Sequence, residues 1–190
     1  TWRRFLLHVM GGDPDAAPDS ERNRSAYQLV DFLQRAVGYS MSGSTREQVM
    51  FVCYGATGGN GKSTFLDTIS AVLGDYAMHT RAETFMASER KSGIPNDVAA
   101  LAGARFVKAS EPAQGAILDE SLVKEMTGDT SLTARFLNRE FFTFTPQFKV
   151  WLATNHRPII RGATRAIWRR ILLIPFEGTI PEAQWDRDLL

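Results

Sequence analysis

The sequence has 190 residues and a formal net charge of +1, with 44% hydrophobic and 23% charged residues. This size and composition are typical of one globular domain with a substantial core. Because the net charge is close to zero, no global field draws the whole chain to nucleic acid or to an anionic membrane, and any such contact needs a few local basic groups. No apolar run approaches the ~20 residues that cross a bilayer, so we expect no membrane partner.

The N-terminal part of the sequence predicts helices. Trp2–Met10 and Ala26–Gly38 have apolar residues at helical spacing, and the turn-rich stretch Gly11–Ser25 predicts a connector between them. We expect residues 1–45 to form an N-terminal helical segment and residues 46–190 to form a second domain.

From Val49 onward, predicted strands and helices alternate. The predicted strands are Val49–Tyr54, Arg105–Ala109, Phe148–Ala153 and Ile171–Pro175. The predicted helices are one that is closed by Gly74, then Asn96–Ala102 and Leu118–Met126. Alternation of this kind predicts an α/β fold whose sheet is mainly parallel and covered by helices on both faces.

One segment interrupts the alternation. Leu132–Thr145 predicts two strands around the polar turn Asn138–Glu140, which is a β-hairpin inserted before the strand at Phe148. The hairpin phenylalanines Phe141, Phe142 and Phe144 are interpreted as hairpin core.

Cys53 is the only cysteine and lies in the first predicted strand. It cannot form a disulfide within the chain, so we expect a buried, reduced thiol of the kind found in cytosolic proteins. With three histidines and one cysteine, the sequence has no zinc-ligand spacing.

The segment "ATGGNGKST", Ala56–Thr64, follows the first predicted strand and opens a predicted helix. Glycines let backbone N–H groups turn inward, and a helix N-terminus adds unpaired donors and a positive dipole end. The usual pattern is G-x-x-x-x-G-K-[ST], and here Ala56 takes the first position. The segment therefore predicts a phosphate-binding P-loop. The residues expected to contact the nucleotide are Thr57, Gly58, Gly59, Asn60, Gly61, Lys62, Ser63 and Thr64.

The chemistry of this loop indicates ATP with Mg²⁺ as cofactors. Lys62 is expected to reach the β- and γ-phosphates, and the Ser63 hydroxyl is expected to be a Mg²⁺ ligand. Asn60 is close enough in sequence to touch the β–γ bridge.

Two polar residues follow later strands and are candidates for catalysis. Glu111 follows "RFVKAS" and could be the acid near Mg²⁺, and Asn155 follows "VWLAT" and could bind the γ-phosphate or the attacking water. A surface glutamate and a turn asparagine are the ordinary alternatives.

A basic cluster precedes the last predicted strand. Arg165, Arg169 and Arg170 could bring a guanidinium to a neighbour's γ-phosphate, or they could form a solvated basic turn.

Together these motifs resemble the superfamily 3 helicases, in particular the ATPase domain of phage and plasmid primase-helicases, which is related to the poxvirus primase-helicase. The blocks that carry the resemblance occur in order: "LVDFLQRAVGYSMSG", "YGATGGNGKSTFL", "GARFVKASE", "LVKEMTGDTSLTARFLNREFFTFTP", "KVWLATNHRP" and "WRRILLIPF". The inserted hairpin is the feature that separates this family from other P-loop classes.

The resemblance implies an AAA+-like P-loop ATPase in residues 46–190. Lys62 and Ser63 match the Walker A pair, and Glu111 matches the Walker B acid, which shares the metal with Ser63. Asn155 matches the sensor asparagine. An arginine finger that reaches the next subunit is matched by Arg169 or Arg170.

The resemblance also implies a DNA-binding hairpin. The tip residues Asn138 and Arg139 match the part that lines a hexamer pore and contacts single-stranded DNA. Lys124, Arg135 and Lys149 lie near the hairpin in sequence and could add to the cationic surface, although a solvated charge is the ordinary reading of Lys124 and Lys149.

The function implied is an ATP-driven DNA helicase motor of phage, plasmid or mobile-element replication, acting in the cytoplasm of a bacterial host. Its partners would be single-stranded DNA, further copies in a ring such as a hexamer, and a primase domain or other replication proteins. The chain begins with Thr and ends in a helix-like segment, so we expect a fragment of a longer protein.

Two other functions remain open at this point. A small-molecule P-loop kinase would fit the chain length but leaves the hairpin unexplained. A nucleotide-gated loader would bind DNA without unwinding it. Stimulation of ATP turnover by single-stranded DNA would favour the motor, and a requirement for a phosphate acceptor would favour the kinase.

Overall fold

The computed structural model describes residues 2–88, 96–128, 131–162 and 164–182. Short 3₁₀ turns cover Gly74–Tyr76 and Ala82–Phe85. The helices are α1 Trp2–Val9, α2 Glu21–Met41, α3 Lys62–Leu73, α4 Asn96–Ala99, α5 Glu120–Thr127 and α6 Arg165–Trp168. The strands are β1 Met50–Tyr54, β2 Ala77–Arg81, β3 Phe106–Ser110, β4 Leu132–Ala134, β5 Phe142–Phe144, β6 Lys149–Thr154 and β7 Ile171–Pro175.

Five parallel strands form the main sheet, in the order β2-β3-β6-β1-β7. The α/β fold with a mainly parallel sheet and an inserted hairpin is therefore confirmed. Strand β1 lies between β6 and β7, which follow it much later in the chain. In open parallel sheets, ligands bind where the strand order reverses, at the carboxyl ends of the strands. The position of β1 therefore predicts a ligand site at the segment that follows Tyr54.

Both faces of the sheet are buried. On β1, Met50 and Val52 belong to a core with α5 and the hairpin, whereas Phe51 and Cys53 belong to a core with α1, α2 and α3. A strand covered on both faces reads as a continuous apolar run, and the sequence of β1, "MFVCY", has this character. The predicted burial of Cys53 is confirmed, and burial raises the pKa of its thiol.

Trp151 is the centre of the core on the α1–α3 face. Its ring stacks on Phe51 and Phe106 at centroid distances of 4.2 and 5.4 Å. Its indole N–H donates to the Ser40 hydroxyl over 3.0 Å, so the polar edge of this buried ring has a partner. Since Ser40 is on α2 and Trp151 on β6, this contact ties the N-terminal helices to the sheet.

Helix α2 is longer than predicted and begins in the stretch that was expected to be a connector. The helix starts at Glu21, and the side chain of Ser20 accepts a hydrogen bond from the backbone N–H of Asn23. The turn-rich composition of Gly11–Ser25 predicts a connector, but Ser at the N-cap is a strong start signal, and the helix begins within this stretch. Strand β2 was not predicted at all.

The inserted hairpin is confirmed. Strands β4 and β5 are antiparallel, and Leu132 is paired with Phe144. At the tip, Asn138 has a left-handed backbone with φ of 57°, and the N–H of Arg139 donates to the carbonyl of Phe136 over 3.0 Å. The polar residues predicted for the turn therefore lie in the connection between the two strands, and Asn is among the side chains that tolerate this backbone conformation.

Among the residues that the structure describes, no helix combines the length and the apolar character that crossing a membrane requires.

Lys149 is not a surface cation, which corrects the suggestion that it could contribute to DNA binding. It is 2% exposed, its ammonium donates to the Ser44 carbonyl over 2.8 Å, and it lies 4.5 Å from the centroid of the Tyr39 ring. Burial, with a smaller effect of the nearby Arg105 charge, lowers the pKa of Lys149 to about 8.

This burial makes stability depend on pH. Unfolded lysine has a pKa of about 10.4, so between about pH 8 and pH 10 the unfolded chain binds more protons than the folded chain, and the free energy of unfolding rises with pH. We expect urea unfolding of the parent chain to show this rise, and Lys149→Met to lack it. Lys124→Met, which removes a half-exposed lysine of α5, should keep it. Parallel pH profiles for the parent chain and Lys149→Met would contradict the prediction.

Candidate functional site

The glycine loop leaves β1 at the carboxyl edge of the sheet and enters α3 at Lys62. Gly59 and Gly61 have left-handed backbones, with φ of 69° and 76°. Within the described part of the chain, the backbone N–H groups of residues 57–63 make no hydrogen bond. Seven consecutive unpaired donors at a helix N-terminus form a site suited to an anion. The unpaired donors favour the predicted phosphate cradle, whose role stays a prediction.

Gly55 is the glycine that the start of the loop requires. A Cβ at this position would collide with the Asn60 side-chain amide and lie 2.8 Å from the Phe176 carbonyl oxygen. Ala56, by contrast, is exposed. This explains why the usual first glycine of the pattern can be an alanine here: the steric restriction falls one residue earlier.

Lys62 is the centre of a compact polar cluster. Its ammonium donates to Asn155 Oδ1 over 2.8 Å, to Asn60 Oδ1 over 2.6 Å and to the Gly55 carbonyl over 3.2 Å. The side chain is 7% exposed, and burial lowers its pKa, an effect that the Glu111 carboxylate opposes. All three acceptors are neutral groups, so no carboxylate among the described residues forms an ion pair with this ammonium.

Asn155 and Glu111 arrive at Lys62 from neighbouring strands. Asn155 follows β6, and β6 pairs with β1 so that Tyr54 lies opposite Thr154. Glu111 follows β3, and its N–H donates to the Ala153 carbonyl over 2.9 Å. Asn155 is hydrogen-bonded to Lys62, and Glu111 follows the strand on the far side of β6 from β1, at the same edge of the sheet. The catalytic roles of both residues stay predictions.

Glu111 has a strained backbone. Its φ is 58°, in the left-handed region that non-glycine residues other than Asn and Asp seldom adopt. Such conformations cost roughly 1–3 kcal/mol and persist where the surrounding structure fixes them, often at functional sites. Glu111 is exposed, and it follows β3 at the end of the sheet where the glycine loop lies.

The predicted metal ligands, Ser63 and Glu111, are both exposed, Ser63 in the first turn of α3 and Glu111 after β3. Their hydroxyl and carboxylate oxygens suit Mg²⁺, which is held in proteins by one or two carboxylates together with substrate phosphates and water. No group of three or more His, Cys, Asp or Glu side chains that could hold a metal occurs in the described ranges.

The predicted arginine fingers lie at the other end of the strands. The Arg170 carbonyl accepts from the N–H of Met50, the first residue of β1, whereas the glycine loop follows the last. At about 3.3 Å per residue, the two ends of a five-residue strand are some 15 Å apart. Within one chain, therefore, neither Arg169 nor Arg170 is brought to Lys62.

The two arginines differ in their surroundings. Arg170 is 9% exposed, and it donates to the Thr127 hydroxyl over 3.1 Å and to Gln48 Oε1 over 3.0 Å. Burial, together with the neighbouring Arg169 charge, lowers the pKa of Arg170. Arg169 is exposed and donates to the same Gln48 oxygen.

Sequence reasoning missed the contacts that surround the glycine loop. A Cβ on Gly61 would lie 2.6 Å from Val9 and 2.9 Å from Phe5, so α1 packs directly on the loop. The segment after β7 crosses the same region, because the N–H of Ile180 donates to the Gly59 carbonyl over 2.9 Å. A Cβ on Gly178 would collide with the His8 carbonyl, so only glycine fits where this segment passes α1. A glycine at this position is the sequence signal for that close approach.

Comparison with known proteins places the chain in a family. A model described as "Family of unknown function (DUF5906)" matches residues 53–170, which include the glycine loop, the hairpin and both predicted arginines. The chain belongs to the DUF5906 family. A relative named "Putative helicase L207/L206", from Acanthamoeba polyphaga mimivirus, is 32% identical over 150 residues, covering 78% of this chain and 15% of the relative. One named "Putative primase C962R", from African swine fever virus, is 28% identical over 172 residues, which are 90% of this chain and 17% of that relative.

Solved structures show the same fold. The C-terminal region of NrS-1 matches this DUF5906 chain with a TM-score of 0.66 at 14% identity, covering 98% of the chain and 40% of that structure. JCV helicase matches with a TM-score of 0.53 at 11% identity, and the match covers 94% of this chain and 46% of that structure. The resemblance to superfamily 3 primase-helicases is confirmed, and this DUF5906 chain is a helicase- and primase-related domain. It spans roughly a sixth of the length of these curated relatives.

The steric role of Gly55 can be tested by a matched pair of substitutions. Gly55→Ala should lower the free energy of unfolding by about 1–3 kcal/mol, since the new methyl group forces the Asn60 amide or the Phe176 backbone to move. Ala56→Gly, one residue later and exposed, should change it by less than about 1 kcal/mol. Urea unfolding curves measure both free energies. A Gly55→Ala variant as stable as the parent chain would contradict the packing described for the loop.

Proposed function

We propose that this chain is the ATP-hydrolysing motor domain of a replicative DNA helicase that works as a ring. The observation that carries the proposal is the hydrogen bond between Lys62 and Asn155 beside a loop of unpaired N–H donors, with Glu111 at the carboxyl end of the next strand of the same parallel sheet. The relatives' names, helicase and primase, favour a role in replication.

The loop and Lys62 would bind the phosphates of ATP. The ammonium of Lys62 is held in place by neutral oxygens and keeps an unneutralised positive charge. A phosphate oxygen is a stronger partner for that charge than an amide oxygen, so Lys62 is prepared to exchange one acceptor for the ligand. Binding is expected to raise the pKa of Lys62, opposing the effect of burial.

Glu111, Asn155 and Ser63 would act on hydrolysis. When bound, Mg²⁺–ATP supplies the phosphoanhydride bond that is broken and a cation that neutralises phosphate charge. Ser63 would contribute its hydroxyl and Glu111 its carboxylate to the hold on the metal. The Asn155 amide would orient the attacking water without adding charge. The left-handed backbone at Glu111 restricts where its side chain starts, which would help to place the carboxylate beside the ligand.

An arginine would come from a second copy of the chain. Arg169 and Arg170 lie about a strand length from Lys62, so neither can serve the site of its own chain. Arg170 is buried and hydrogen-bonded to Thr127 and Gln48, which suits a structural role. Arg169 is exposed, and we propose it as the residue that stabilises the transition state in a neighbouring subunit.

The inserted hairpin would contact single-stranded DNA. Asn138 and Arg139 are exposed at its tip, as a contact of this kind requires. A ring of copies repeats the tip cation around its centre, which yields a local basic surface on a chain whose net charge is only +1. Stimulation of ATP turnover by single-stranded DNA, without any phosphate acceptor, would separate this motor from a small-molecule kinase.

Replacing the loop lysine tests the nucleotide site. Lys62→Ala should abolish ATP hydrolysis, with a loss of at least about 100-fold, because the ammonium is expected to stabilise the transferred phosphate. The fold should survive, as judged by circular dichroism. Lys124→Ala, at the paired and half-exposed lysine of α5, should keep parent activity. Hydrolysis by Lys62→Ala at the parent rate would refute the assignment.

Mixing two inactive variants tests the shared site. Arg169→Ala and Lys62→Ala proteins, each inactive alone, should recover part of the turnover when combined, since some interfaces then join an intact loop to an intact arginine. Arg170→Ala should instead lower the unfolding free energy, because it leaves the Thr127 hydroxyl and Gln48 without this partner. No recovery in any ratio of the mixed proteins would argue against Arg169 acting on a neighbour.

A further inference from the structure

The tip of the inserted hairpin, residues 135–141, carries exposed apolar side chains. Phe136, Leu137 and Phe141 are 44%, 78% and 55% exposed. The interpretation of Phe141 as hairpin core is therefore wrong, whereas Phe142 and Phe144 are half-buried and pack against the main core. Three large apolar groups within one short connection form a surface that packing inside this chain does not explain.

The aromatic rings of the tip are held by their neighbours. Phe136 stacks on Phe142 with a centroid distance of 5.7 Å and an interplanar angle of 17°, and Phe142 stacks in turn on Phe144 at 5.8 Å. The backbone is fixed as well, because the N–H of Leu137 donates to Asn96 Oδ1 over 3.0 Å. The stacked rings thus continue from the hairpin strands to the exposed tip as an ordered platform.

Cations accompany these rings. The guanidinium of Arg135 lies 4.8 Å from the centroid of the Phe141 ring, and Arg139 is exposed on the same connection. Neither arginine forms an ion pair with a described residue. Aromatic faces beside unneutralised guanidinium groups are the combination with which proteins bind single-stranded nucleic acid, since bases stack on the rings and phosphates meet the cations.

We propose that Phe136 and Phe141 are base-stacking residues for single-stranded DNA, with Arg135 and Arg139 placed to meet the flanking phosphates. The proposal rests on the motor function proposed above and deepens it, because it assigns the contact to ring faces as well as to the tip cation. A DNA duplex hides the faces of its bases, so the platform selects single strands. Base faces are common to all four nucleotides, so the contact tolerates any sequence.

A second copy of the chain is the other occupant that an apolar surface suggests. Protein interfaces also contain aromatic residues and arginine, so the charge of the tip decides between the two occupants: neither Arg135 nor Arg139 forms an ion pair with a described residue. The charge and the aromatic character together match a polyanion with flat bases better than they match this near-neutral chain.

The experiment compares two labelled probes by fluorescence anisotropy, using the full 190-residue chain. One probe is a thymidine 20-mer, and the other is a 20-mer of the same backbone without bases. Phe141→Leu and Phe136→Leu keep apolar bulk but remove the ring, and Phe141→Trp keeps a ring. Phe144→Leu, on the half-buried part of the stack, is the matched control. Arg139→Ala reports the phosphate contact.

We expect Phe141→Leu and Phe136→Leu each to bind the thymidine probe about tenfold more weakly, with the baseless probe within about twofold of the parent. Phe141→Trp and Phe144→Leu should bind both probes like the parent. Arg139→Ala should weaken both probes and reduce the slope of log affinity against log salt by about 0.7.

Unchanged binding of the thymidine probe by both leucine variants would overturn the stacking proposal and leave DNA binding in place. An equal loss on the two probes would overturn it too, as would a loss of self-association in sedimentation with probe binding intact. A parent chain that binds neither probe would refute the DNA-binding half of the proposed function itself, while the ATP hydrolysis assays would still decide the motor site.

Discussion

The candidate site depends on a buried ammonium that oxygen atoms from separate parts of the chain hold in place. Lys62 reaches the residue that follows β1, a residue within the glycine loop and the residue that follows β6. Those groups can meet because parallel strands bring their carboxyl ends to one edge of the sheet. Burying the charge is costly, and the hydrogen bonds to dipolar oxygens offset this cost without removing the charge. An antiparallel pairing of β1 and β6 would put Asn155 at the wrong end.

Left-handed backbone conformations outside glycine occur at residues of the candidate site, the hairpin tip and the arginine pair. In the described residues, left-handed φ values outside glycine occur at Gln48, Glu111 and Asn138. Glu111 is the carboxylate near Lys62, Asn138 is at the hairpin tip, and Gln48 accepts from both Arg169 and Arg170. A strained residue persists only where its surroundings dictate its conformation, and the resulting rigidity is useful where a side chain must point in one direction. The left-handed backbone thus marks these three residues, which their solvent exposure alone would not separate from other surface residues.

Patterns local in sequence predicted much of this fold, and contacts between distant segments were not predictable. The candidate phosphate-binding loop was recognisable because glycines, lysine and hydroxyls must be adjacent to surround phosphate, and β7 because it is an unbroken apolar run. Strand β2, "AMHTR", lies at a sheet edge and has few apolar residues, so no strand pattern marks it in the sequence. The burial of Lys149 and the different surroundings of Arg169 and Arg170 depend on residues about a hundred positions away, such as Ser44 and Gln48. No periodicity encodes those contacts.

The close packing of α1 on Gly61 bears on how the domain can be divided. Phe5 and Val9 fill the space where a side chain on Gly61 would lie, and Gly178 lies against the backbone of the same helix. A version trimmed to start at residue 46 would keep every residue of the phosphate loop and yet remove the surface on which the loop rests. The N-terminal helices therefore support the glycine loop directly, although they supply none of the proposed reactive groups.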